Sequence, residues 1–330
     1  MLSITPLNEF QLGHRAYHVD VAASGHIAAL SRAGGGSILP PNCASCARFA
    51  APKEASDLAI SPDGTLVAVT ARGRSSLIST MTLRMVGKLD ESIESCHFGA
   101  AGELWSASRW DEDSIALEVR EPGSWKVVAR TEVADPFGDS SFKILAHPVP
   151  EYVVVWAAAG QDGQCIFWAS RSGPDITVTR FPGLDATTIP SFNRPGDEFL
   201  VVADGNELRH YRFPNGPVLT TMPWPFDDMD NQIGDLVVFV DSRRALLPST
   251  ADRLYLVDLS RMSLADEISI TGHEPRPISE VYPKLREPGL CSDLAYITLL
   301  PSGRILSVHK QIPMETSEER SDTLLVWSLP

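Results

Sequence analysis

The sequence has no long apolar run and no recognisable leader, which argues against a spanning helix and a secretory signal. Its longest apolar stretch, Tyr152 to Ala159, is eight residues, less than half of the roughly 20 that a spanning helix needs. The first residues, MLSITPLNEFQLGH, lack a basic region followed by an apolar core, which a secretory signal requires. We therefore expect a cytoplasmic protein without a membrane partner.

Cysteine is scarce, and the five in the chain are Cys43, Cys46, Cys96, Cys165 and Cys291. An odd number at wide spacings is unlike a disulfide framework, so we expect free thiols in a reducing compartment. Cys43 and Cys46 have a Cys-x-x-Cys spacing, but a second ligand pair and a helix N-terminus are missing around them. We expect no metal and no cofactor, although this spacing leaves a metal or redox role open.

Basic residues are outnumbered, with 28 Lys plus Arg against 42 Asp plus Glu and a formal net charge of −14. Nucleic acids and anionic membrane surfaces would repel such a chain. The charge instead favours a partner with a basic surface. With 43% hydrophobic residues, the composition is that of a globular protein with a substantial core.

Helical periodicity is also missing, and short β-branched and aromatic runs take its place. Examples are Leu66 to Val69, Val237 to Val240 and Leu254 to Val257. Polar or Gly/Pro clusters bound such runs about every 8–12 residues, which is typical of an all-β sandwich, barrel or propeller.

Tight turns recur along the whole chain, each followed by a strongly apolar strand. Taking the second residue of each turn, the steps are 39, 38, 48, 46, 46 and 61 residues. Periods of about 40–50 residues with several strands each indicate propeller blades, so seven turns predict seven blades. The turns are Ser24-Gly25, Asp63-Gly64, Ala101-Gly102, Val149-Pro150, Pro195-Gly196, Asp241-Ser242 and Ser302-Gly303.

Several of these units resemble WD repeats, although none has an intact Trp-Asp pair. The matching segments are Leu12-Gly13-His14, Ile60-Ser61-Pro62-Asp63-Gly64, Val257-Asp258, Thr271-Gly272-His273 and Val326-Trp327-Ser328. The resemblance implies an all-β, seven-bladed propeller with four-stranded antiparallel blades. It also implies a hydrogen-bonded tether in the last blade, formed by His273, Ser307, Asp322 and Trp327.

The last unit lacks a fourth strand, because only three residues follow Trp327. Residues 1–11 precede the first Gly-His and have no blade of their own. We expect this segment to complete the last blade, which would leave no free sheet edge there. The whole chain, 1–330, is then one propeller domain and a monomer.

No motif for catalysis or phosphate binding is present. Gly34-Gly35-Gly36 lacks the Lys-Ser/Thr of a P-loop, and neither Gly-x-Ser-x-Gly nor His-Glu-x-x-His occurs. Cys96 and His97 are adjacent, but neighbouring residues on a strand point to opposite faces. We therefore predict no catalytic residues.

Acidic and aromatic residues collect in the loops that follow the second and fourth strands, whereas the turns after the first strands stay short. This asymmetry predicts a partner-binding surface with aromatic anchors in loops outside the blades. Its residues are Trp110, Asp111, Glu112, Asp113, Trp224, Phe226, Asp227, Asp228, Asp230, Tyr282, Glu315, Glu318 and Glu319.

These features favour a non-catalytic scaffold that docks another protein. Two alternatives remain open. One is a hydrolase resembling the lactonase-type propellers, which would need carboxylates, His or Arg converging at the channel mouth. The other is a sensor of a small cationic ligand or Ca²⁺ in the acidic loops, although no regular EF-hand loop is present.

Overall fold

The chain is all-β and forms a seven-bladed β-propeller, as the seven turns predict. The computed structural model describes residues 1–31, 33–42, 45–71, 73–89, 93–159, 163–182, 184, 188–203, 206–214, 216–226, 233–234, 236–249, 253–277, 280, 290–291, 294–310 and 321–330. Within these ranges, no helix has the length and hydropathy of a membrane span.

The first four blades make up one compact unit, Arg15–Asp185. Each blade is a four-stranded antiparallel sheet whose strands follow chain order. Blade 1 contains β3 (His18–Val21), β4 (Ile27–Leu30), β5 (Gly36–Leu39) and β6 (Ala47–Phe49). Blade 2 contains β7 (Asp57–Ile60), β8 (Leu66–Thr70), β9 (Ser76–Ser79) and β10 (Met85–Lys88). Blade 3 contains β11 (Ser95–Phe98), β12 (Leu104–Arg109), β13 (Ser114–Arg120) and β14 (Val127–Ala134). Blade 4 contains β15 (Ser141–Ala146), β16 (Tyr152–Ala158), β17 (Gln164–Ser172) and β18 (Asp175–Arg180).

The other three blades and the amino-terminal segment make up the second unit, Met1–His14 with Ala186–Pro330. Blade 5 contains β19 (Ser191–Phe192), β20 (Glu198–Ala203), β21 (Glu207–Arg212) and β22 (Val218–Pro223). Blade 6 contains β23 (Val238–Phe239), β24 (Arg244–Pro248), β25 (Leu254–Asp258) and β26 (Ser263–Ile270). Blade 7 contains β29 (Leu294–Leu299), β30 (Ile305–His309) and β31 (Thr323–Trp327). Between blades 6 and 7, β27 (Arg276–Pro277) pairs with β28 (Leu290–Cys291).

The amino-terminal segment completes blade 7, as predicted, and also joins blade 6. Its second strand, β2 (Asn8–Gln11), pairs antiparallel with β31 and supplies the fourth strand of the last blade. Its first strand, β1 (Leu2–Ile4), pairs parallel with β26 and becomes a fifth strand of blade 6. Residues 1–11 therefore divide between two blades, whereas the sequence predicted one.

The seven predicted turns all lie between the first and second strands of a blade. Gly64 shows why the turn chemistry matters, since its φ is +75°, a conformation that costs side-chain-bearing residues energy. The neighbouring Asp63 carboxylate accepts hydrogen bonds from the Ser61 hydroxyl (2.6 Å) and the Thr65 amide (3.0 Å). These bonds fix the reversal between β7 and β8.

Apolar clusters lie between adjacent blades of the same unit. Between blades 3 and 4, for example, Ile115, Leu117, Phe142 and Val155 pack in one buried cluster. Most residues of the second strands are buried, and their sequences are nearly continuous apolar runs, as expected for strands covered on both faces. The ends of the strands remain free to present loops.

Candidate functional site

At the loop between β12 and β13, Trp110 is exposed over 53% of its surface. The guanidinium of Arg130, on β14, lies 3.9 Å from the centroid of its ring. Arg130 also forms an ion pair of 3.3 Å with the buried Glu118 of β13. The indole is therefore held in place by a cation–π contact although much of its surface meets solvent.

Three exposed acidic residues continue this loop: Asp111, Glu112 and Asp113. Asp111 organises the turn, because its Oδ1 accepts hydrogen bonds from the Ser114 hydroxyl (2.8 Å) and the Asp113 amide (2.9 Å). These hydrogen bonds hold the pKa of Asp111 below its ordinary value, and the bond from Ser114 has the largest effect. We call Trp110, Arg130 and these three acids the Trp110 patch.

The loop that joins blades 3 and 4 is fixed beside the Trp110 patch. Arg109 Nη1 lies 2.8 Å from Asp135 Oδ2, and the Asp135 amide donates to the carbonyl of Asp113 at 2.8 Å. Desolvation opposes ionisation of Asp135, but hydrogen bonds from Ser140 and Arg109 outweigh it and lower its pKa to about 2. Both loops therefore share one hydrogen-bonded framework.

In blade 5, Trp224 is a core residue with only 9% exposure. Its ring centroid lies 5.5 Å from that of Tyr255 in blade 6 and 5.3 Å from that of Phe226, which is 39% exposed. Trp224 also belongs to the apolar cluster between blades 5 and 6. The expectation that both aromatics lie outside the core is wrong for Trp224, because its ring folds back onto the next blade.

Trp224→Ala should lower the free energy of unfolding by about 3 kcal/mol, since it empties a large buried volume. Phe226→Ala should cost clearly less, because Phe226 is partly exposed. Denaturant unfolding of both variants tests this order. Equal stability of wild type and Trp224→Ala would contradict the buried position.

The remaining predicted anchors and acids lie outside the described residues. They are Asp227, Asp228, Asp230, Tyr282, Glu315, Glu318 and Glu319.

Of the four residues of the predicted tether, Trp327 and Ser307 in blade 7 form a direct hydrogen bond, and a further histidine joins them. Trp327 Nε1 donates to Ser307 Oγ at 2.9 Å, and Asp322 is buried. Ser307 Oγ also lies 2.8 Å from His309 Nε2. The centroid of the His273 ring lies 4.4 Å from that of the His309 ring. Sequence reasoning missed His309 because no Gly-His pair marks it.

A polar cluster that the sequence did not reveal joins the first strands of blades 1 to 4. Asp57, at the start of β7, is its centre and is buried. Ser95 Oγ donates to Asp57 Oδ2 at 2.5 Å, and His18 Nδ1 lies 3.6 Å from Asp57 Oδ1. Lys143 Nζ lies 3.4 Å from the same His18 nitrogen.

The same kind of hydrogen bond, from a backbone amide of one first strand to a polar side chain of another, recurs between blades. The Ile60 amide donates to Asp20 Oδ2 and the Ile144 amide to Ser95 Oγ, both at 2.9 Å. In the other unit, the Phe239 amide donates to Ser191 Oγ at 3.0 Å. In the sequence, this cluster is marked only by polar residues within otherwise apolar first strands. That pattern becomes visible only when the first strands of the blades are aligned.

This geometry favours a stabilising role over hydrolysis. A nucleophilic hydroxyl needs a neighbouring base and access to substrate, but Ser95 is buried and its Oγ is engaged by Asp57 and Ile144. Cys96 and His97, which follow Ser95, are no better suited to catalysis. Burial raises the pKa of the Cys96 thiol well above its usual range and lowers the pKa of His97. Within the described residues, no three His, Cys, Asp or Glu side chains are grouped as a metal site.

Asp57 should make stability depend on pH. Burial raises its pKa to about 6, against the lowering effects of Lys143 and the hydrogen bond from Ser95. The folded state therefore binds the Asp57 proton more tightly than the unfolded state does. The stabilisation of the fold by protonated Asp57 is complete below about pH 4 and is lost as pH rises through 6. Relative to Asp57→Asn, the free energy of unfolding of wild type should fall by about 2–3 kcal/mol between pH 4 and 7. Parallel denaturant titrations of the two proteins measure the difference, and a constant gap would contradict it.

Comparison with known proteins shows the fold but no family. No family model and no curated protein matches the sequence. The β-propeller domain of Cps50 (Swd1) from Myceliophteria thermophila superposes with a TM-score of 0.64 at 14% identity, covering 98% of this chain and 99% of that one. Hydrazine synthase from Kuenenia stuttgartiensis gives 0.61 at 10% identity, covering 91% and 94%. Since one fold hosts unrelated functions, these similarities do not assign one.

Proposed function

We propose that this propeller is a non-catalytic scaffold that docks a basic segment of another protein on the Trp110 patch. The observation that carries the proposal is an exposed indole that contacts the Arg130 guanidinium and is followed by three exposed acids. Tryptophan is enriched among the residues that dominate binding energy at interfaces. The acids would attract a basic partner and orient its approach.

Preorganisation supports the same interpretation. Arg130 forms an ion pair with Glu118. The other carboxylate oxygen of Glu118 lies 2.8 Å from Arg120 Nη2. Binding would therefore require little further ordering of the Trp110 side chain, and this lowers the entropic cost of association. The proposed scaffold acts as a monomer in the cytoplasm.

Crosslinking and capture from native extract, followed by binding measurements with the purified partner, test the proposal. Trp110→Ala should weaken binding by about 2 kcal/mol or more and leave the melting temperature nearly unchanged. Glu112→Lys with Asp113→Lys should mainly slow association, and added salt should reduce that difference. Asp111 is left intact because it holds the turn.

Val127→Ala is the matched control, since Val127 is a second exposed apolar residue of blade 3. It should not change binding. The proposal fails if the partner binds the Trp110 and acidic variants as tightly and as fast as wild type, or if Val127→Ala weakens binding equally.

A further inference from the structure

We infer that the cavity between blades 6 and 7 binds a carboxylate carried on a short aliphatic stem. The cavity has a volume of about 70 Å³. That space is enough for a small molecule of a few non-hydrogen atoms. This site is separate from the Trp110 patch and does not depend on the proposed function.

The walls of the cavity combine apolar side chains with hydrogen-bond donors. Leu254, Ile268 and Ile270 supply buried aliphatic surface. Arg253, His273, His309 and Ser249 supply the polar groups. A ligand that matches both would have a short aliphatic part and an acceptor group.

The charge of the lining favours an anion. Although the chain has 42 acidic residues, none of the described residues that line the cavity is Asp or Glu. Arg253 Nη1 pairs with Glu267 at 2.9 Å, but a guanidinium has five N–H donors and can serve a second carboxylate. The cavity therefore combines a cationic donor with space for a small acid.

Ser249 is the residue that a purely structural role explains least well. It is 6% exposed, and none of the described residues forms a hydrogen bond with its hydroxyl. An unsatisfied buried hydroxyl destabilises a folded protein. A bound carboxylate would give this hydroxyl an acceptor and would account for its presence in the lining.

Calorimetric titration of the full chain with propionate tests the inference. Propionate should bind saturably to one site and raise the melting temperature. Ser249→Ala should weaken it by about tenfold while the melting temperature without ligand stays equal or rises. Propionamide, which has the same shape without the charge, should bind at least about tenfold more weakly.

Ser106→Ala is the matched control, because Ser106 of β12 in blade 3 is also buried with no hydrogen-bond partner for its hydroxyl among the described residues. It should leave propionate binding unchanged. Titration with N-acetylglutamate amide identifies the source of the acid: tighter binding than propionate supports a peptide side chain, and weaker binding supports a free short-chain acid. The inference is overturned if neither ligand saturates, if propionamide binds as well as propionate, or if both serine variants bind alike.

Discussion

Trp327→Ala is expected to lower the free energy of unfolding by about 3–5 kcal/mol, as for a large buried aromatic. Trp327 is 0% exposed and packs with Val238, Ile305 and Leu325 in the cluster shared by blades 6 and 7. Its truncation removes this packing and also the donor to Ser307 Oγ. Denaturant unfolding with an intrinsic-fluorescence probe and a separate circular-dichroism probe measures the loss.

Trp327→Phe separates packing from hydrogen bonding, because it keeps most of the apolar ring and removes the indole N–H. Combined with Ser307→Ala in a double-mutant cycle, it should show a coupling of about 0.5–1 kcal/mol or more, since the two side chains bond directly. Strictly additive effects would mean that the 2.9 Å contact between Trp327 and Ser307 contributes nothing.

The blade count was predictable because turn chemistry is local. A residue such as Gly64 is needed at a positive φ, and the apolar strand after each turn follows from burial on both faces. Each signal lies within about ten residues of sequence. The missing fourth strand after Trp327 was equally visible, and it led to the pairing of β2 with β31.

The polar cluster around Asp57 and the buried position of Trp224 were less predictable, because the contacts that define them join distant parts of the chain. Lys143 and His18 are 125 positions apart, and Trp224 packs on Tyr255 of the following blade. The Pro-Trp-Pro-Phe segment has a loop composition, yet composition does not show which way a loop side chain turns. Trp110 and Trp224 therefore looked alike in sequence, although one is exposed and the other buried.

Deleting residues 1–11 should have the largest effect of all. It removes β2, which leaves β31 as an unpaired edge even though Leu324, Leu325 and Trp327 are buried core residues. It also removes β1, whose Ile4 belongs to the cluster shared by blades 6 and 7. An exposed apolar edge strand is a template for aggregation.

Deleting only residues 1–5 is the control that assigns the effect to a strand. This shorter deletion removes β1 and its parallel pairing with β26 but keeps β2 in blade 7. We expect it to fold with a modestly lowered melting temperature. The longer deletion should aggregate during purification or melt at least about 10 °C lower. Size-exclusion chromatography and thermal unfolding distinguish the two. Equal behaviour of both deletions would place the stabilisation in β1 alone, and a monodisperse 1–11 deletion with an unchanged melting curve would show that blade 7 needs no fourth strand.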